Sequence, residues 1–444
     1  MTNKITPQMF LVFSLFTLMA LPAHLWALSL EEAKDLANQQ NSQILAVAQK
    51  VNGAKSQELG AWPTVLPNIS LQASATRFDS FQNRSLASVF GGDTSLFPDR
   101  SYSAKLAVTQ PIFNPAVLPA FGAASALSDA MRYQGENIRQ MVLLDTVTSY
   151  YNVARAIEMD RLASENVGLL NSLVRQIKEM ARLGAVTQSD ALAVEVRLKE
   201  AERAQLESSK GLVLAKMKLN SVLGSPLNTD VTVNAAMSSQ IELPSQVDPI
   251  VAIDTALKSR LDLKSLRRTK DLMESSVLLA KTGYLPGIYL IGNYGYVGNS
   301  GDFIKNENKD WSVTLSGSWN ILDGLSTTSK LGVAEANLRD HDQNIKMAEQ
   351  GVQIEVIDAI LSIESARKGL QLAEVASTLS QRNYSEVSQR YKAGGATNTD
   401  LLSAQLTASQ AKVGMLNAQY DAVVAGYRYQ RSIGLIPVPS ATAK

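Results

Sequence analysis

Along the chain the apolar positions switch twice from a helical period to a strand period and back. From Leu28 to about Gly60 they recur at helical spacing. Leu30, Ala33, Ala37, Ile44, Ala48 and Val51 share one side, behind a capping box of Ser29 with Glu32. Trp62-Pro63 and Leu66-Pro67 break that helix, and the period falls to two. Ile69, Leu71, Ala73 and Ala75 alternate with Ser70, Gln72, Ser74 and Thr76. After a Gly-, Ser- and Asp-rich loop, Tyr102, Ala104, Leu106 and Val108 alternate with Ser103, Lys105 and Thr109. Runs of about ten residues with one apolar and one polar face suit a transmembrane β-hairpin, here over 68–112, although soluble sandwiches use similar hairpins.

Pro111 and Pro115 are expected to end the second strand. A helical pattern then runs unbroken over 116–182, about 100 Å at ~1.5 Å per residue. Ordinary globular helices have about eleven residues, so this one does not belong to a compact domain. A further helix is expected over 187–223 and a polar connection over 224–247.

The programme then repeats over 248–434: a helix, a hairpin over 287–320, a long helix over 325–391 and a last helix over 397–433, with 435–444 as a tail. In the second hairpin Trp311, Val313, Leu315, Gly317 and Trp319 oppose Ser312, Thr314, Ser316, Ser318 and Asn320. Trp311 and Trp319 close the two ends of that apolar face, and Tyr102 one end of the first hairpin's, as interfacial aromatic residues do. The helical hairpins turn at Gly184-Ala185 and Gly394-Gly395, each followed by a Thr that can start the next helix and by Asp190 or Asp400 in its first turn. Gly184 and Gly394, like Gly224 and Gly434, stand at a common offset of 210 residues. The chain is a tandem duplication.

The helices carry two seams. Leu401, Ala404, Ala408, Ala411, Met415, Ala418, Ala422 and Ala425 make a stripe of mostly small residues, and Leu402, Leu406, Val413, Leu416, Tyr420 and Val423 make a second beside it. Ala191, Val194, Leu198, Ala201, Ser208, Leu212 and Ala215 repeat the first stripe. A helix with two adjacent seams packs on a neighbour at each side, which suits a curved layer of helices. By length, the helices at 30–60 and 187–222 placed end to end match the helix at 116–182. Four strands cannot close a barrel, which needs about eight or more. If the strands lie in a membrane, oligomerisation is required.

Composition removes most chemistry. There is no Cys, hence no disulfide, thiolate site or lipidated Cys. Lys and Arg total 42 against 41 Asp and Glu, which gives no nucleic-acid footprint. Residues 1–27 read as a secretory leader: Lys4, the apolar run Met9 to Leu21, and Leu25-Trp26-Ala27 at the cleavage site. Beyond it the one His is His341, in a charged stretch that reads as solvated surface. With neither Cys nor a second His, no metal site, cofactor or enzymatic centre is expected. An exported coiled-coil scaffold or adhesin without channel activity would use the same seams, but the alternating strands argue against it.

In its leader, its duplicated order of helix, hairpin, long helix, tip and helix, its Gly-to-Asp tip spacing and its closing Leu223-Gly224 and Ile433-Gly434, the chain resembles the TolC-type outer-membrane efflux family. The resemblance implies an α+β membrane protein that forms, as a homotrimer, a 12-stranded outer-membrane β-barrel continuous with a periplasmic α-helical barrel. It implies an exit duct for a tripartite efflux or type I secretion system, with a periplasmic adaptor and an inner-membrane pump or ABC transporter as partners. The tips at Gly184, Ala185, Gly394 and Gly395 would meet the adaptor. Asp400, Ser403, Tyr391 and Asp190 would line or hold the periplasmic entrance, with a Tyr391–Asp190 hydrogen bond joining the hairpins. Ser403 stands where a second Asp ring occurs in the family, and Ala396 where an Arg latch occurs, so a weakly closed entrance is expected. With no Cys, the chain resembles the unlipidated branch.

Overall fold

The computed structural model describes residues 27–77, 100–234, 243–244, 247–299 and 304–435. The leader expected over 1–27, save Ala27, and the loops at Gly91 and Gly301 lie outside the described residues.

Eight α-helices and four strands, with three short 3-10 helices between them, make up the described chain. In order they are α1 (Leu30–Gln40), α2 (Ser42–Glu58), β1 (Asn68–Arg77), β2 (Arg100–Phe113), α3 (Val117–Arg182), α4 (Gln188–Leu223), α5 (Pro249–Ser259), α6 (Leu261–Lys281), β3 (Gly287–Gly298), β4 (Lys309–Ser318), α7 (Ser326–Lys392) and α8 (Asn398–Ser432). The strands form one antiparallel sheet in the order β1-β2-β3-β4, so β2 and β3 join the two repeats and β1 and β4 each keep an open edge. Cross-strand register collects the apolar positions on one face: Leu71 is opposite Leu106, Leu106 opposite Tyr294, and Tyr294 opposite Trp311. That face is bare, with Leu71 77 % and Trp311 69 % exposed. An unshielded apolar face of this size calls for lipid or a partner.

Two expectations for the strands are corrected. Pro111 does not end β2, which runs on to Phe113 through a register shift between Pro111 and Phe113, an irregularity of the kind that tolerates proline. Trp319 lies one residue past the end of β4, and its indole N–H donates to the Tyr284 carbonyl at 3.1 Å.

The helices form a layer. α3 packs on α2 and α4 along one flank and on α6 and α8 along the other, and α6 and α8 pack in turn on α7. Short helices thus stack in pairs beside each long one, and the small-residue stripes are buried at these contacts: Ala191, Val194 and Ala201 on α4, and Leu401, Ala404 and Ala408 on α8. Among the described residues, no helix is long and apolar enough to cross a membrane.

The stretch 30–60, read above as one helix, is two. Asn41 leaves helical geometry (φ −62°, ψ 125°), and its Oδ1 accepts from the backbone N–H of Gln43 and Ile44. Its Nδ2 donates to the Val222 carbonyl at 2.6 Å, pinning the elbow to the end of α4. The second repeat bends likewise at Arg260 (φ −59°, ψ 131°). There the Ser259 hydroxyl donates to the Ile433 carbonyl, and the buried Arg260 guanidinium donates to the Ser432 carbonyl, Asp262 and Glu355. His341 is a further correction. It is 9 % exposed, and its Nε2–H donates to the Leu266 carbonyl at 2.8 Å, because α6 covers the charged stretch that encloses it in sequence.

Candidate functional site

The far ends of the hairpins hold the residues singled out for the entrance. At both tips the chain closes in a Schellman motif. The Gly184 and Ala185 N–H groups donate to Ala181 and Met180, and those of Gly394 and Gly395 to Tyr391 and Arg390. Gly184 and Gly394 have φ of 76° and 78°, and a Cβ on either would meet nothing within 4 Å. Their need for glycine is therefore conformational, and the space beside them is open.

Each following helix starts with a full capping box. Asp190 Oδ2 accepts from the Thr187 N–H and hydroxyl at 3.1 and 2.7 Å, and Asp400 Oδ2 accepts from those of Thr397 at 2.9 and 2.7 Å. These bonds hold both carboxyl groups below the usual carboxylate range, and the nearby Arg390 charge adds to the effect at Asp400. Both aspartates are thus ionised at neutral pH. Ser403 is exposed one turn on, and its carbonyl accepts from the Thr407 hydroxyl.

The expected Tyr391–Asp190 bond is not formed. Tyr391 is buried in the tip core with Val387, Ile177, Val194 and Leu401, and its hydroxyl has no hydrogen-bond partner. Burial, and then the nearby Asp190 charge, push its pKa up. The hairpins are tied by amides instead. Asn398 Nδ2 donates to the Asp190 carbonyl at 3.2 Å, and Gln405 Nε2 donates to Asn166 Oδ1, which the Ser409 hydroxyl also approaches at 3.4 Å. Gln405 and Asn398 are buried, and a polar residue inside an apolar seam is a readable sign in the sequence of a register-fixing contact. Tyr391→Phe should therefore leave single-channel open probability unchanged. Its melting temperature should hold or rise, because an unpartnered buried hydroxyl costs up to about 1–3 kcal/mol. A large rise in open probability would restore the Tyr391–Asp190 link.

The polar face of the sheet carries its own arrangement. Lys105 on β2 and Asp310 on β4 flank Gly295 on β3, and Lys105 Nζ donates to Asp310 Oδ2 at 2.7 Å. A Cβ at Gly295 would lie 2.2 Å from the Ala104 carbonyl oxygen and 2.9 Å from Lys105 Cγ, so glycine opens the path for the ion pair. Tyr102 and Trp311 lie on the opposite, apolar face. Among the described residues, no group of His, Cys, Asp and Glu could hold a metal ion.

Comparison with known proteins agrees with this architecture. The family model described as outer membrane efflux protein matches residues 34–225 and 252–434. The outer membrane protein TolC of Vibrio cholerae is 20% identical over 420 residues, covering 94% of this chain and 93% of that one. TolC of Escherichia coli is 21% identical over 405 residues, with coverage of 88% and 78%. Among solved structures, the CmeC outer membrane channel of Campylobacter jejuni superposes with a TM-score of 0.80 at 19% identity, covering 91% of this chain and 85% of its own. The open MtrE channel of Neisseria gonorrhoeae gives 0.76 at 18% identity, with coverage of 91% and 89%. Matched by that model over most of its length, the chain belongs to the outer membrane efflux protein family and is an outer-membrane efflux channel.

Proposed function

We propose that three copies of the chain close a twelve-stranded barrel in the outer membrane, continuous with a helical barrel in the periplasm, and conduct cargo passively to the exterior. The observation that carries this is the open sheet: four strands with two unpaired edges, one bare apolar face and one polar face. The helical layer makes the same demand. α4 and α7 stand at its two ends and keep large apolar side chains exposed, among them Leu192, Val196 and Leu206 on α4, and Leu372, Val375 and Leu379 on α7. A neighbouring copy on each side would cover them.

In this reading the leader is cleaved, the mature chain carries no lipid anchor, and the protein has no catalytic role. The tips at Gly184, Ala185, Gly394 and Gly395 meet a periplasmic adaptor, which links the duct to an inner-membrane pump or ABC transporter. Efflux of small molecules and type I secretion both fit a passive duct. Asp400 places three ionised carboxylates around the entrance, a ring that favours cations. The neutral ties at Asn398 and Gln405 hold the second hairpin to the first.

The test is purification followed by mass measurement and planar-bilayer recording. The membrane fraction should release the protein to detergent and not to alkali, as a trimer that opens discrete conductance steps. A monomer washed off by alkali and silent in bilayers would favour the scaffold reading.

A further inference from the structure

The apolar face of the sheet is not uniformly apolar. Antiparallel register sets Arg77, the last residue of β1, directly opposite Arg100, the first of β2. Strand alternation puts both on the face that carries Leu71 and Leu106, one row beyond the Ala75–Tyr102 pair. Both side chains are exposed, and among the described residues neither takes part in an ion pair or side-chain hydrogen bond. Like charges directly opposite each other destabilise a strand pair, with Cβ atoms only ~4.5–5.5 Å apart. An anion between them would reverse that sign.

The rest of the face says which anion. Among the described residues no Asp or Glu lies on it, since Asp310 belongs to the polar face and is engaged by Lys105. The one other cation on it among the described residues, Lys309, is also near this end, with Nζ 5.0 Å from the centroid of the Tyr294 ring. Charge on the apolar face is thus confined to one end: Lys309 lies one row beyond Trp311, and Arg77 and Arg100 lie one row beyond Tyr102. One row is two residues, about 7 Å along a strand. A side chain one row past the aromatic level of a membrane strand stands among lipid headgroups. A guanidinium pair at that depth matches a phosphate, which two Arg side chains can hold by paired N–H···O bonds.

We propose that Arg77 and Arg100 form a docking site for the phosphate of an outer-leaflet lipid, a phosphorylated glycolipid headgroup. This rests on the reading that the sheet lies in the outer membrane with its hairpin ends, opposite the helices, facing outward. The occupant is a lipid phosphate because the pair opens onto the same face as the acyl-facing rows. A phosphate free in solution would gain nothing from those rows.

The full-length trimer is reconstituted into phosphatidylcholine vesicles doped with a bisphosphorylated acyl-glucosamine disaccharide or with its dephosphorylated form. Native mass spectrometry then counts retained lipids. The phosphorylated form should be retained about tenfold or more over the other, and Arg77→Gln with Arg100→Gln should remove that preference while leaving conductance unchanged. A second readout needs no lipid. In detergent without anionic lipid, Arg77→Gln alone should raise the melting temperature, because it relieves the opposed charges. A fall would mean that a carboxylate of the chain already holds the pair, and would overturn the site. Equal retention of both lipids, or preference surviving the double variant, would overturn it too, as would inorganic phosphate displacing the lipid at equal concentration. Failure to insert into vesicles of either composition would instead sink the membrane reading, and this site with it.

Discussion

Asp310→Asn is expected to turn the channel toward anions at low ionic strength, and Lys105→Met to turn it toward cations. The pair is half open to solvent, with side-chain exposures of 34 % for Lys105 and 52 % for Asp310. An ion pair so exposed contributes only about 0–1 kcal/mol to stability, so neither variant should affect folding or assembly. The charge left behind is another matter. In the proposed trimer, with the polar face lining the lumen, Asp310→Asn would present three uncompensated ammonium groups at one level of the duct. Potentials of several kT arise from such rings when screening is weak. The Debye length is about 30 Å at ~10 mM salt and about 3 Å at ~1 M, so the shift in reversal potential should be large in the first and nearly absent in the second. A several-fold change in the cation-to-anion permeability ratio is expected at ~10 mM, where a tenfold change corresponds to only about 1.4 kcal/mol. The double variant should return to the parent's selectivity. Reversal potentials indifferent to all three substitutions would mean that this face does not line the conducting path.

Lys105 was visible in the sequence as a polar-face residue, while its partner was not. Period-two alternation assigns a residue to a face, and it needs no knowledge of which strand lies beside which. The ion pair depends on register across β3 and on a glycine at one position of it, information that exists only once the strands pair. The same limit explains the entrance. The capping boxes of Asp190 and Asp400 are local and legible, with Thr three residues before each. The surroundings of Tyr391 depend on how the two hairpins meet, and there the buried side chain packs in the tip core while the amides of Asn398 and Gln405 make the bonds. His341 failed for the same reason, since its sequence neighbours are charged and its cover comes from α6. The elbows were hidden differently. Asn41 lies inside an amphipathic stretch and caps a helix whose start is marked only by its own side-chain bonds. Arg260 has no local cap, and it is held by Glu355 and the Ser432 carbonyl far along the chain.

Those elbows set the largest expected loss of stability. Gly184 and Gly224 share a left-handed backbone, with φ of 76° and 77°, and an L-residue there costs about 1–2 kcal/mol. At the tip that is the whole penalty, because an added Cβ meets nothing. At Gly224 the Cβ would lie 2.3 Å from the Gln40 carbonyl oxygen, 2.7 Å from its carbon and 3.2 Å from the Asn41 nitrogen. These are backbone atoms of the α1–α2 elbow and cannot turn aside. Relief requires the elbow to withdraw, which breaks the Asn41–Val222 bond and leaves buried polar groups unpaired, about 1–3 kcal/mol more, before packing losses around Leu219 and Leu223 are counted. Gly224→Ala should thus cost more than about 4 kcal/mol and abolish assembled protein, whereas Gly184→Ala should assemble normally with a slightly lower melting temperature. Gly434→Ala should fall between them. Its nearest contact is the Ser259 hydroxyl at 2.7 Å, which can rotate, and the backbone nitrogen of Arg260 is farther off at 3.1 Å. Denaturant unfolding and the yield of assembled protein rank the three. Equal losses at Gly184 and Gly224 would show that backbone conformation alone sets the cost, and that the close approach of the elbow to the end of α4 adds nothing.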